Sequence, residues 1–245
     1  MKDYLLDIIQ YTHSLGLIEL AKVTETGNET QVSARHTQEP VVIVEGKYNK
    51  PVMGFDGVFG LPNLSKLKTI ISFDDYDENA SINLTLKTDS NGDKEASNIH
   101  FETANKDFVN DYRLMAKNVV ESQVKKVTFH GKTWHVQFEP TIAGIQRLKK
   151  QASANSEEPS FIMKVENGDL KIYFGDPSTH SGNFVFQSGV SGTLNVEWHW
   201  PVKLFLSIMD LPGSKFIKIS DEGAAEITVD SGLGTWQYLI PGLAK

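Results

Sequence analysis

The chain has 245 residues, 40% of them hydrophobic and 22% charged, which is typical of one large folded domain or two smaller ones. Because it contains no cysteine, disulfide bonds, thiolate metal ligands and a cysteine nucleophile are excluded. The net charge of −7 repels a polyanion at long range, so a nucleic-acid partner requires that the 24 Lys and Arg residues gather on one surface. No run approaches the ~18 apolar residues of a membrane span, and we expect a cytoplasmic protein without a membrane partner.

Four stretches carry apolar residues at the three- and four-residue spacing of an amphipathic helix. They are residues 4–15, 58–71, 141–153 and 202–211. In the third stretch, the pattern predicts a buried side formed by Ile142, Ile145, Leu148 and Ala152. We therefore expect four short helices of about three turns each.

Between the helices lie pairs of strand-like segments joined by Gly, Asn and Asp residues, the pattern of antiparallel hairpins. The pairs are residues 18–23 with 30–35, 81–87 with 98–102, 161–165 with 170–174, and 216–219 with 225–229. Each half of the chain therefore reads helix, hairpin, further strand, helix, hairpin and final strand. We predict an α+β fold of two topologically similar domains, residues 1–117 and 127–245, joined by a connector at residues 118–126.

Several bases of the predicted helices fall on sides that face away from the apolar residues. These bases are Lys66 and Lys68 in the second helix, Arg147, Lys149 and Lys150 in the third, and Lys203 at the start of the fourth. Exposed helix faces are also where Lys and Arg are ordinarily solvated. The pattern by itself is compatible both with an ordinary solvated surface and with a surface that binds a polyanion.

Four short segments resemble the sliding clamps of DNA replication. They read MGFD at 53–56, LSKLK at 64–68, ITVDSG at 227–232 and QYLIP at 237–241. The C-terminal ending resembles the eukaryotic and archaeal clamp, whereas a first helix that begins almost at residue 1 is similar to the clamps of tailed bacteriophages. The similarity in element order covers nearly the whole chain.

This resemblance implies a ring of three identical subunits, with helices lining a central hole and antiparallel sheets outside. Such a ring encircles double-stranded DNA without reading its sequence and tethers the replicative DNA polymerase. An ATP-driven clamp loader opens it, and the ring itself catalyses no reaction and carries no cofactor or metal. If the source is a bacteriophage, the protein works in the cytoplasm of the host cell.

The resemblance also implies roles for particular residues. The DNA-facing bases would be Lys66, Lys68, Arg147, Lys149, Lys150 and Lys203. A partner peptide would enter an apolar pocket that includes Val41, Val119, Val120, Leu239, Ile240 and Pro241. The subunits would join through an edge strand near residues 112–116 and another near 183–187, with Tyr112, Leu114, Phe184 and Phe186 at the contact.

Two other classes of protein are alternatives. The first is a non-enzymatic β-rich virion component or carbohydrate-binding module, in which tryptophans form the binding face; these are Trp134, Trp198, Trp200 and Trp236. Tryptophans in alternating strands more often fill cores. The second is an enzyme, which is disfavoured because no acid, base and nucleophile converge in the pattern.

Overall fold

The computed structural model describes residues 1–88, 92, 94–125 and 133–244. These form two compact units, which comprise the described residues of Met1–His36, Val44–Val127 and Ser231–Trp236 in unit 1, and of Thr37–Ile43, Thr128–Asp230 and Gln237–Lys245 in unit 2. No helix of the described chain is long and apolar enough to cross a membrane.

Unit 1 combines two helices on antiparallel strands with a third, shorter helix. Its helices are α1 (Lys2–Tyr11), α2 (Leu64–Ile71) and α3 (Lys117–Gln123). Its strands are β1 (Leu20–Glu25), β2 (Thr30–His36), all but the first two residues of β3 (Val42–Tyr48), β4 (Val58–Pro62), β5 (Ser81–Thr88), β6 (Lys94–Glu102) and β7 (Val109–Arg113). The strand order is β4-β1-β2-β3 in one sheet and β5-β6-β7 in another. The first of these sheets continues in unit 1 with the beginning of β15.

Unit 2 repeats this combination of helices and hairpins. Its helices are α4 (Ile142–Ala154) and α5 (Val202–Met209), and its strands are β8 (Val136–Phe138), β9 (Ser160–Glu166), β10 (Asp169–Gly175), β11 (Ser181–Gln187), β12 (His199–Pro201), β13 (Lys215–Ser220), β14 (Ala224–Asp230) and the end of β15 (Gly234–Pro241). One sheet has the order β11-β10-β9-β12, and the other has β15-β14-β13-β8.

The predicted duplication of topology is confirmed. From α1 to β7 the order is one helix, four strands, one helix and three strands, and the same order recurs from α4 to β15. The four predicted hairpins are also confirmed, because β1–β2, β5–β6, β9–β10 and β13–β14 all pair antiparallel. The fold class predicted from the sequence, α+β with antiparallel sheets, is therefore correct.

An aromatic and carboxylate cluster fixes α1 in unit 1. Trp236 Nε1 donates a hydrogen bond to Asp7 Oδ2 at 3.0 Å, and the Trp236 ring stacks on Tyr11 with centroids 5.5 Å apart. The edge of Tyr48 meets the same indole at 6.1 Å. Burial raises the pKa of Asp7, while the hydrogen bonds it accepts from Trp236, Ser231 and Tyr48 act in the opposite direction.

Two local predictions are wrong. Residues 58–62 form strand β4 instead of the first turn of a helix, because they pair with β1 in the register Leu20 to Pro62 through Thr24 to Val58. Helix α2 then begins at Leu64, where the side chain of Asn63 accepts a hydrogen bond from the backbone amide of Lys66 at 3.1 Å. An apolar spacing that fits one helix also fits a strand followed by a shorter helix.

The second wrong prediction concerns the face of α4. Its buried residues are Gly144, Leu148 and Ala152, whereas Ile142 is 80% exposed. The buried side is therefore rotated toward Leu148, and Ile145 lies at its border. The apolar pattern does not include glycine. A Cβ at Gly144 would lie only 2.3 Å from the Phe186 carbonyl oxygen, so only glycine fits at this contact. The close approach of α4 to β11 at this glycine sets the rotation.

Candidate nucleic-acid interface and partner surfaces

Helix α2 presents two of the predicted bases to solvent. Its apolar side buries Leu64, Leu67, Ile70 and Ile71 in unit 1. The remaining positions, including Lys66 and Lys68, are exposed. Because the N-cap and the buried side fix the rotation of the helix, both ammonium groups are available to a ligand on its outer side.

Helix α4 carries three bases in three different settings. Thr141 caps its N-terminus, accepting a hydrogen bond from the amide of Gly144 at 3.0 Å. Lys150 is exposed on the side opposite Leu148. Arg147 lies toward β11, where Nη1 donates to the carbonyl oxygen of Val185 at 3.2 Å. Lys149 lies on the other flank, so the structure does not place the three bases on one face.

The six predicted bases therefore divide into two groups. Lys149 forms an ion pair with Asp210, the residue that follows α5, and Arg147 is bonded to β11. The side chains of the other four make no hydrogen bond or ion pair with residues in the described part of the chain; they are Lys66, Lys68, Lys150 and Lys203. Sequence patterning found the bases but missed Asp210, because nothing local links positions 149 and 210.

The first helix has no comparable basic surface. Lys2 donates a hydrogen bond to the carbonyl oxygen of Tyr76, and His13 Nδ1 lies 3.2 Å from Glu19 Oε1. Glu19 also accepts a hydrogen bond from Ser65 Oγ at 2.6 Å. Burial raises the pKa of Glu19, but the two hydrogen bonds from Ser65 and the charge of His13 outweigh it, so the net shift is downward. The bases of this region are engaged within unit 1.

The residues predicted to line a partner pocket differ in accessibility. Val120 in α3 is fully buried against β4, and a Cβ at Gly60 would lie 2.8 Å from Val120 Cγ2. Its neighbour Val119 is 41% exposed. In unit 2, Ile240 is buried, whereas Val41, Leu239 and Pro241 are partly exposed. Val120 and Ile240 are core residues of their own units.

The start of the predicted connector is a packed helix. The carbonyl groups at the C-terminal end of α3 accept hydrogen bonds from two bases of the neighbouring sheet, because Lys22 Nζ donates to Val124 at 3.3 Å and Arg35 donates to Gln123. Cations are favourable at this end of a helix. The last predicted connector residue, 126, lies outside the described residues.

Of the two predicted subunit edges, residues 183–187 lie in strand β11, whereas only residues 112 and 113 of the segment 112–116 lie in strand β7. Among the described strands, β7 pairs with β6 alone and β11 pairs with β10 alone. Tyr112, Leu114 and Phe186 are buried in their own units, and Phe184 is half-buried. Burial raises the pKa of Tyr112, whose hydroxyl donates to the carbonyl oxygen of Pro62. Of the four residues predicted at the subunit contact, only Phe184 is partly accessible in the described chain.

Two of the four tryptophans are buried in the core and cannot form a binding face. Trp200 and Trp236 are each only 1% exposed. Trp198 is half-buried and donates a hydrogen bond from Nε1 to the carbonyl oxygen of Asp221 at 2.8 Å, and Trp134 lies under Lys218. Within residues 1–88, 92, 94–125 and 133–244, no group of three or more His, Asp or Glu is placed to hold a metal ion.

The chain is similar in structure to archaeal PCNA. It superposes on PCNA from Thermococcus kodakaraensis with a TM-score of 0.65 and 11% identity, covering 98% of this chain and 97% of that one. It superposes on a chain of the PCNA2-PCNA3 complex from Sulfolobus tokodaii with a TM-score of 0.66 and 12% identity, covering 98% and 96%. No protein-family model and no curated protein sequence matches it. The chain has the DNA clamp fold over essentially its full length.

Proposed function

We propose that this chain is a subunit of a sliding clamp that encircles duplex DNA and tethers a replicative DNA polymerase. The observation that carries the proposal is the clamp fold over 98% of the chain, combined with exposed bases on helices of both units. The two compact units would be the two clamp domains. The chain would act as a tether and not as an enzyme.

The exposed bases suit a contact that permits sliding. Lys66, Lys68, Lys150 and Lys203 are unpaired within the described residues, and ammonium groups attract phosphates without reading bases. A chain with a net charge of −7 binds DNA weakly outside such a surface. Because a ring holds DNA topologically, weak contacts suffice, and a tethered polymerase is recaptured at a high effective concentration.

Ring closure would use the two edge strands. The unpaired N–H and C=O groups of an edge strand can pair with another chain and promote aggregation. Head-to-tail pairing of β7 with β11 of the next subunit would satisfy these groups. Two domains per chain favour a homotrimer of about 82 kDa, from subunits of 27.3 kDa. Opening of the ring would require a separate ATP-driven loader.

Fewer residues would contact a partner peptide than the family resemblance implies. Val120 and Ile240 are fully buried in their own units, so neither side chain can contact a peptide directly. Val41, Leu239 and Pro241 in unit 2 and Val119 in unit 1 are the accessible members. Deleting residues 239–245 would remove Leu239 and Pro241, and it should reduce polymerase binding. It would also remove buried Ile240, so Leu239→Ser is the variant that separates binding from stability.

The first test joins native mass with duplex binding. We expect a mass near three subunits at low micromolar concentration, and duplex binding whose affinity falls with salt. Lys66→Gln and Lys150→Gln should each lower the slope of log affinity against log salt by about 1. Lys50→Gln, which removes an exposed charge outside the helices, is the matched control and should leave the slope unchanged. A monomer that ignores duplex and polymerase at low salt would refute the proposal.

A further inference from the structure

The ion pair between Lys149 and Asp210 joins two helices of unit 2. Lys149 lies in the middle of α4, and Asp210 directly follows the last residue of α5. Both side chains are partly exposed, with 38% of Lys149 and 55% of Asp210 accessible. The pair is therefore accessible to a dissolved or bound anion.

The geometry directs Lys149 away from its neighbour. Successive residues of a helix are separated by about 100°, and Lys150 occupies the outward side while Lys149 lies on the flank beside α5. A long Lys side chain can swing from the flank toward the outward side when nothing holds it. The carboxylate of Asp210 holds it at the flank.

Among the described residues, Lys149 is the base that forms an ion pair with Asp210. The nearby ammonium of Lys215 donates hydrogen bonds to the carbonyl oxygens of Leu211 and Gly213, which close the turn after α5. Burial lowers the pKa of Lys215, the charge of Lys149 acts in the same direction, and the charge of Asp210 opposes both. Lys215 thus lies near Asp210 without forming an ion pair with it, whereas Lys149 does form one.

We propose that Asp210 competes with DNA phosphates for Lys149 and thereby lowers the affinity of the clamp for DNA. The inference rests on the proposed function and names a residue that sets the strength of the DNA contact. An exposed ion pair is weak, typically 0.2–1 kcal/mol, so a phosphate can replace the carboxylate. When Lys149 contacts a phosphate, its ion pair with Asp210 is lost. This loss shortens the lifetime of the contact between Lys149 and DNA.

The test uses a fluorescent duplex of about 30 base pairs and anisotropy titrations at several salt concentrations. We expect Asp210→Asn to raise affinity roughly two- to fivefold, the range of an exposed ion pair, and to steepen the salt slope by about 1. Misfolding cannot produce such a gain in binding. Glu157→Gln removes one exposed acid just beyond the end of α4, and it controls for net charge.

The Lys149→Gln background separates a direct contact from long-range attraction. In that background Asp210→Asn should leave the salt slope unchanged, because the freed base is missing. An equal gain in both backgrounds, or the same gain from Glu157→Gln, would overturn the inference and leave the proposed function standing. No gain from Asp210→Asn while the unsubstituted chain binds duplex would also overturn it. A chain that assembles into a trimer but shows no duplex binding at low salt would overturn this inference alone. A monomer that binds neither duplex nor polymerase would refute the proposed function, and this inference would fail with it.

Discussion

Val119 and Val120 provide a direct test of whether Val120 is a core residue or lines an open pocket. The two residues are adjacent and of the same type, but Val120 is fully buried beneath Gly60 and Val119 is 41% exposed. Val120→Ala removes two methyl-sized groups from the core, at about 0.8 kcal/mol each, and leaves a small cavity. We expect a loss of about 1.5–2.5 kcal/mol in the free energy of unfolding.

Val119→Ala should be nearly neutral. The exposed side chain loses little burial, and alanine favours a helix over valine by a few tenths of a kcal/mol. Urea unfolding at one fixed subunit concentration measures both variants, and the concentration must be held constant because assembly adds to apparent stability. If Val120 lined an open pocket instead, the two substitutions would have similar, small effects. A loss below about 0.5 kcal/mol for Val120→Ala would refute the burial.

Gly60 supplies an independent check of the same contact. A Cβ at this position would lie 2.8 Å from Val120 Cγ2 and 2.9 Å from Met115 Cβ. Gly60→Ala alone should cost about 1–3 kcal/mol through overpacking. Combined with Val120→Ala it should cost less than the sum of the two, because the missing methyl group makes room. Strict additivity would mean that the two residues do not touch.

Two further predictions concern stability. Because burial raises the pKa of Asp7, the folded state holds its proton more tightly than the unfolded chain, so this residue should lower stability as pH rises from about 3.9 through the raised value. Asp7→Asn should make stability depend less on pH in this range. Urea midpoints measured from pH 4 to 7 test this, and an unchanged dependence on pH would contradict it. Gly144→Ala should destabilise by about 1–3 kcal/mol despite the better helix propensity of alanine, because the new Cβ would lie 2.3 Å from the backbone oxygen of Phe186. A more stable variant in thermal unfolding would show that α4 can move away from β11 at little cost.

The hairpins were predictable because their information is local. Turn residues such as Asn167 and Gly168 adopt positive φ, and the alternating residues on either side fix the pairing. The amphipathic helices were predictable for the same reason, since residues three and four apart share a face. Repetition of these signals in both halves also indicated two similar domains.

The tertiary structure decided what depends on neighbours distant in sequence. Residues 58–62 became a strand because β1 lies beside them, and the face of α4 was set by the approach of Gly144 to Phe186. The burial of Val120 likewise depends on Gly60.

The hydrogen bonds and ion pairs of the basic side chains also depend on neighbours distant in sequence. The sequence by itself determined which helices carry Lys and Arg, because charge and spacing are local properties. Only the tertiary structure decided that Arg147 is bonded to Val185 and Lys149 to Asp210, leaving Lys150 exposed. The partners lie 38 and 61 positions away along the chain, and packing alone brings them within reach of a hydrogen bond.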